Sequence, residues 1–184
     1  MPVCISLLRA VNVGGHNMLP MPALRSLYES MGFEQVATYL QSGNVVFRTK
    51  ERNLPRLATR IEEAVEKRFG FRPDVVLRST SELKEVVGRN PFAKRRDIEP
   101  KRLLVMFLEK EPDADGRRQT LALDIAPEEV KIEGKHAYIY YADGMARPKL
   151  SWPKAERMLK TTGTGRNWNT VNQLLHMAES IEAS

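Results

Sequence analysis

The sequence predicts an α+β fold built from two related units with antiparallel or mixed sheets. Three observations carry this. Short apolar runs rich in β-branched residues alternate with helical stripes, glycine-centred turns separate neighbouring runs, and the order of elements in the first half returns in the second.

Residues 3–13, VCISLLRAVNV, form a nearly continuous apolar run ended by Gly14-Gly15, which predicts a central strand buried on both faces. A helix follows over 21–31: Pro22 suits its first turn, Leu24, Leu27, Tyr28 and Met31 recur at helical spacing, and Gly32 stops it. Residues 36–40 and 44–48 flank Gln41-Ser42-Gly43, a hairpin signal. Over 54–69, Leu54, Leu57, Ile61, Ala64 and Val65 mark an amphipathic helix closed by Gly70, and Pro73 opens a strand over 74–78. That order, β-α-β-β-α-β, is the ferredoxin-like split unit.

The second half opens with a helix over 81–87, where Ser79, Thr80 and Ser81 offer caps, followed by a strand over 101–108 and a weaker helix over 114–123. Strands over 129–133 and 136–141 surround Gly134-Lys135, and helices cover 154–161 and 167–180. The β-α-β-β-α order recurs with no visible residue repeat. We therefore expect a first ferredoxin-like subdomain over 1–79 and a second over 80–184 carrying the C-terminal helix, with one compact unit as the alternative. The junction near 79–101 holds Asn90-Pro91-Phe92 and the basic cluster Lys94-Arg95-Arg96.

Composition narrows the class. The 184 residues are 42% hydrophobic and 28% charged, with a mean hydropathy of −0.41, which suits a globular core and not disorder. No apolar run reaches the roughly 18–20 residues that span a bilayer. Met1-Pro2-Val3-Cys4-Ile5 lacks the features of a signal peptide, and a single cysteine excludes a disulfide scaffold, so a cytoplasmic protein is expected. His16, His136 and His176 lie far apart without ligand spacing; no metal and no cofactor are expected. No Gly-x-Ser-x-Gly elbow, Walker A loop or Rossmann fingerprint occurs. The net charge is +6, and 18 arginines outnumber 11 lysines. Arginine is the better fork for phosphate, so weak, sequence-indifferent nucleic-acid binding stands against an ordinary solvated surface.

Two segments stand out for ligand chemistry. In the first, Arg9, Asn12, Gly14, Gly15 and Asn17 combine donors with tandem glycines that let backbone N–H groups face outward. In the second, residues 161–170, we expect a glycine-broken loop entering the last helix and cradling an anion, with Thr164, Arg166, Asn167 and Asn169 as donors. Asn167 and Asn169 serve equally as helix caps, and Trp168 as a core anchor. Ser42 and Asn44 in the hairpin add further donors, and the three segments are expected to converge. Basic runs at 94–102 and 145–168, with Tyr138 and Tyr140 sharing a strand face, are the candidate polyanion surface and stacking platform.

The segments LLRAVNVGG (7–15), TYLQSGNVVF (38–47), NPF (90–92) and RNWNT (166–170) closely resemble the bacterial Domain of Unknown Function 1697 family, in order and over nearly the whole chain. Ala10 stands where that family usually has glycine, and Arg147-Pro148-Lys149 where a Ser-Lys pair is common. The resemblance implies a cytosolic protein of two ferredoxin-like subdomains and no established activity. Two readings follow. One is a binding module for a phosphate-bearing ligand, nucleic acid or nucleotide. The other is a small-molecule enzyme with a site between the subdomains, disfavoured because the motif segments carry no Asp or Glu as general base.

Overall fold

Six consecutive buried side chains, Val3–Leu8, form β1, and the first sheet is built around it. β1 pairs antiparallel with β3 (Asn44–Arg48) on one edge and with β4 (Val75–Ser79) on the other. β2 (Glu34–Tyr39) lies outside β3, giving the order β2-β3-β1-β4. Helices α1 (Met21–Ser30) and α2 (Leu54–Phe69) bring Leu24, Tyr28, Leu57, Ile61 and Val65 against Cys4, Leu8, Val45, Phe47 and Leu77 of the sheet. The Tyr28 ring meets Phe47 edge-on at 5.2 Å, and its hydroxyl bonds Ser6 Oγ at 2.8 Å inside this core. α2 ends at the glycine that predicts its close, and a cap the sequence reading did not name starts it. The Asn53 side chain accepts from Arg56 N, and Gly70 ends the helix at φ 81°.

The computed structural model describes residues 1–184, which divide into two units: Met1–Lys84 with Gln173–Ser184, and Glu85–Asn172. The second unit is centred on β5 (Leu103–Leu108), entered through a 3₁₀ turn at Pro100–Arg102. β5 pairs antiparallel with β7 (His136–Tyr140) and β8 (Gly163–Asn167), and β6 (Glu129–Glu133) lies outside β7. The order β6-β7-β5-β8 repeats that of the first sheet. With α4 (Ala114–Leu121) and α5 (Trp152–Leu159) as its two helices, this unit also has the β-α-β-β-α-β order. The protein is thus an α+β fold of two ferredoxin-like units, each with an antiparallel sheet. No helix is long and apolar enough to cross a membrane.

Three features differ from the expectation. β1 ends at Leu8 instead of running to residue 13, because Ala10 and Asn12 turn left-handed at φ 55° and 53°. Within the loop predicted over 161–170, residues Gly163–Asn167 form strand β8. Its glycines are there for packing: a Cβ on Gly163 would lie 2.9 Å from Trp152 Cζ2, and one on Gly165 2.7 Å from Met106 Sδ. The partition also departs from a boundary at residue 79, since it falls inside α3 (Thr80–Gly88) and inside α6 (Trp168–Ala183). The last twelve residues join the first unit, where Glu179 pairs with Lys84 at 3.3 Å and the Ile181 carbonyl accepts from Arg48.

Close packing of α4 on α5 makes Gly116 sensitive, because an added Cβ would sit 2.3 Å from the Met158 carbonyl oxygen. Gly116→Ala is expected to lower unfolding free energy by about 1–3 kcal/mol in urea titrations. Gly88→Ala, with open space around the site, should stay within about 0.5 kcal/mol of the parent.

Burial, with a smaller push from Glu82, raises the Cys4 thiol from 9.0 to about 11. The unfolded thiol ionises first, so the stability linked to Cys4 is intact below pH 9 and is lost as pH climbs towards 11. A thiol-reactive dye should leave the native protein unlabelled at about pH 8 and label it on unfolding. Cys4→Ala should flatten the alkaline decline in stability; an unchanged decline would assign it to other groups.

Candidate binding site

Where β1 ends, the chain enters a loop rich in left-handed backbone. Ala10, Asn12, Gly14, Gly15 and Asn17 have φ of 55°, 53°, 57°, 75° and 50°, and in the β2–β3 turn Leu40 and Gly43 have 57° and 82°. For residues with a Cβ this conformation costs on the order of 1–3 kcal/mol each and persists only where the surroundings impose it. The asparagines impose it here. Asn12 Nδ2 donates to the carbonyls of Leu19 (2.9 Å) and Gln41 (2.7 Å), while its Oδ1 accepts from Leu19 N at 2.7 Å. Asn17 Nδ2 donates to the Ala10 carbonyl at 3.1 Å. Asn44, fully buried, donates to the Tyr39 carbonyl at 2.6 Å and to Ser42 Oγ at 3.0 Å. Gly43 seats one loop on the other, since a Cβ there would meet Val11 Cγ2 at 2.7 Å. Residues 9–18 and 40–43 are therefore one braced pair of loops.

The pair presents an unusual surface. Val13 (63% exposed), Met18 (63%) and Leu40 (54%) are the most exposed large hydrophobic residues in the chain. Between Val13 and Met18 lie exposed Gly14, Gly15 and His16, and the Gly14 and Gly15 amides make no hydrogen bond within the protein. Arg9 Nη1 approaches Asp74 Oδ2 at 3.6 Å, so the loop carries a tethered cation at its base. Asn12, Asn17 and Asn44, expected as ligand donors, hold the backbone that shapes this surface. Sequence reading passed over Val13, Met18 and Leu40 as candidates. The available signal was three apolar side chains set among Gly, Asn and Ser.

The remaining predicted residues belong to the second unit, so the hairpin and the Gly14 loop come together within the first. Thr164 and Arg166 lie buried in β8, and the anion-cradling loop expected there is replaced by a strand. Arg166 Nη1 donates to the Gly165 carbonyl at 2.8 Å, and burial pushes its guanidinium down to about 10. Asn167 acts as a cap: its Oδ1 accepts from Asn169 N at 2.8 Å, and its Nδ2 donates to the Lys101 carbonyl at 2.9 Å.

In the polyanion surface expected at 94–102, three of the five cations face carboxylates. Arg95 pairs with Asp97 and Glu129, each at 2.6 Å, and Lys101 and Arg102 face Glu99 at 3.4 and 3.6 Å. In the second run, Lys160 pairs with Asp113 at 2.9 Å. Tyr138 and Tyr140 form no stacking platform, since both are buried and donate to the carbonyls of Val86 (2.7 Å) and Asp97 (3.0 Å). No three His, Cys, Asp or Glu side chains gather as metal ligands. A depression of about 650 Å³ along α4, between Glu111 and Ala122, contains none of the predicted site residues.

A family profile described as protein of unknown function (DUF1697) matches residues 1–138. The solved structure of conserved bacterial protein SP0830 from Streptococcus pneumoniae is similar in fold, with a TM-score of 0.72 and 22% identity over 96% of this chain and 98% of that one. No curated protein sequence matches the chain.

Asn12 is the brace on which both loops depend. Asn12→Ala is expected to destabilise the protein by about 1–3 kcal/mol, because Leu19 N and two carbonyls lose their partner. Hydrogen exchange should accelerate over residues 9–19 and 40–43 before it does in β1; unchanged exchange there would deny the brace.

Proposed function

We infer that this chain, which belongs to the DUF1697 family of proteins of unknown function, is a binding module for a phosphate-bearing ligand, a nucleotide or a nucleic-acid segment, held on the braced loops 9–18 and 40–43. The observation that carries the reading is the pairing of open Gly14 and Gly15 amides with the exposed tips of Val13, Met18 and Leu40 on backbone already fixed in place. Outward amides suit phosphate oxygens. Apolar tips beside them suit the face of a base or sugar. Because the backbone is braced before the ligand arrives, little conformational freedom is lost on binding. The enzyme reading, which would draw on Arg9, Asn12, Ser42, Asn44, Arg166 and Asn169, has less support, since Asn12, Ser42 and Asn44 bond backbone carbonyls or one another.

Amide-resolved NMR titration with mononucleotides, inorganic phosphate and nucleosides is the direct test. Shifts should concentrate on residues 9–18 and 40–43 and require the phosphate. Val13→Asp combined with Met18→Asp replaces exposed side chains, so the fold should persist while affinity falls roughly tenfold or more. Absence of shifts at millimolar ligand, or shifts confined to other segments, would end the proposal.

A further inference from the structure

The basic residues at 50–60 differ from Arg95, Lys101 and Arg102, each of which faces a carboxylate. Lys50, Arg52, Arg56 and Arg60 are all exposed, and none has a carboxylate within ion-pair distance. Two other exposed arginines of the first unit are matched, Arg25 with Glu29 at 2.9 Å and Arg72 with Glu62 at 3.1 Å, and a third, Arg68, lies over the Phe69 ring. The acid within the row, Glu51, is turned to the backbone: its Oε1 accepts from Arg52 N and Asn53 N, both at 2.9 Å. These N–H groups, with the charges of Arg56 and Arg60, hold the Glu51 carboxyl below its usual range. Arg56 and Arg60 stand one above the other on α2, about 6 Å apart along its axis. The helix N-terminus beneath them adds partial positive charge. Glu63, next on the same stripe, ends the row.

We propose that residues 50–60 form a contact surface for the phosphate backbone of a nucleic acid. A row suits a linear polyanion better than a compact one, and guanidinium forks match phosphate oxygens in pairs. No exposed large hydrophobic side chain lies in the row for a bilayer surface to take up. The pairing of Val3 with Arg48 and of Leu7 with Asn44 sets this surface at the opposite end of the first sheet from the braced loops. It therefore stands or falls independently of them. Such contacts carry no base readout, so binding is indifferent to sequence and depends on salt.

Fluorescence anisotropy with labelled single-stranded and duplex oligonucleotides, from about 20 to 200 mM salt, tests it. The log of affinity should fall linearly with the log of salt. Combined Arg52→Ala, Arg56→Ala and Arg60→Ala should weaken binding roughly tenfold or more and reduce the salt slope by about two to three. Lys94→Ala with Arg96→Ala should change affinity less than about twofold. Thermal melts would verify that the variants fold; alanine at the exposed helix positions 56 and 60 favours that. Three results would overturn the surface: no binding at the lowest salt, an unchanged salt slope in the triple variant, or polyglutamate binding as tight as an oligonucleotide of equal charge. The mononucleotide titration reads the loops separately, so failure of one leaves the other intact.

Discussion

A central strand hydrogen-bonded along both edges can release its chain only through its ends. β1 meets this constraint in severe form, with six buried side chains and β3 and β4 closing both edges. The chain must then turn clear of both neighbours within a few residues. It does so through left-handed backbone at Ala10 and Asn12, with Val11 tucked under Gly43 between them. Such a turn would not hold by itself. The side-chain amide of Asn12 stands in for the missing strand ladder by bonding both Leu19 and Gln41, and so couples the strand exit to the neighbouring hairpin. The exposed surface formed by Val13, Gly14, Gly15 and Met18 follows from that geometry.

The two units solve the same problem with little shared sequence. Arg78 faces Ile5 across β4–β1, and Arg166 faces Val105 across β8–β5, so the two arginines occupy equivalent positions in the two sheets. Both are buried, and burial lowers the pKa of each. The next residue caps the following helix in each unit: Ser79 Oγ accepts from Glu82 N at 3.2 Å, and Asn167 Oδ1 from Asn169 N at 2.8 Å. The repeat is therefore one of register and capping. Two chemically different caps and a shared arginine are too sparse a pattern to stand out as an internal sequence repeat.

Much of the architecture was legible because local signals and tertiary packing agree. Gly70 closes α2, and the apolar spacing ahead of it decides its buried face. β8 was hidden because Gly163, Thr164 and Gly165 have the composition of a turn, and only the bulk of Trp152 and Met106 requires glycine there. The pairing of Arg95 in the basic cluster at 94–96 was hidden for a related reason. Glu129, which neutralises Arg95, lies 34 residues away in sequence, and linear charge counts cannot pair them. Within the site, glycines and asparagines were legible as special backbone, but their roles as braces were not. Exposure of Val13, Met18 and Leu40 depends on where neighbouring elements stop, which no side-chain pattern encodes.

The division inside α6 has a consequence for synthesis. Gln35 bonds Ser184, 149 positions later, and the last twelve residues lie with the first unit. A ribosome therefore releases the segment that completes the first unit only after the whole of the second has emerged. During that interval the first unit lacks residues 173–184, while the second unit has all of its own strands in hand. Order of synthesis and order of completion are reversed between the two units: the half made first is the half finished last.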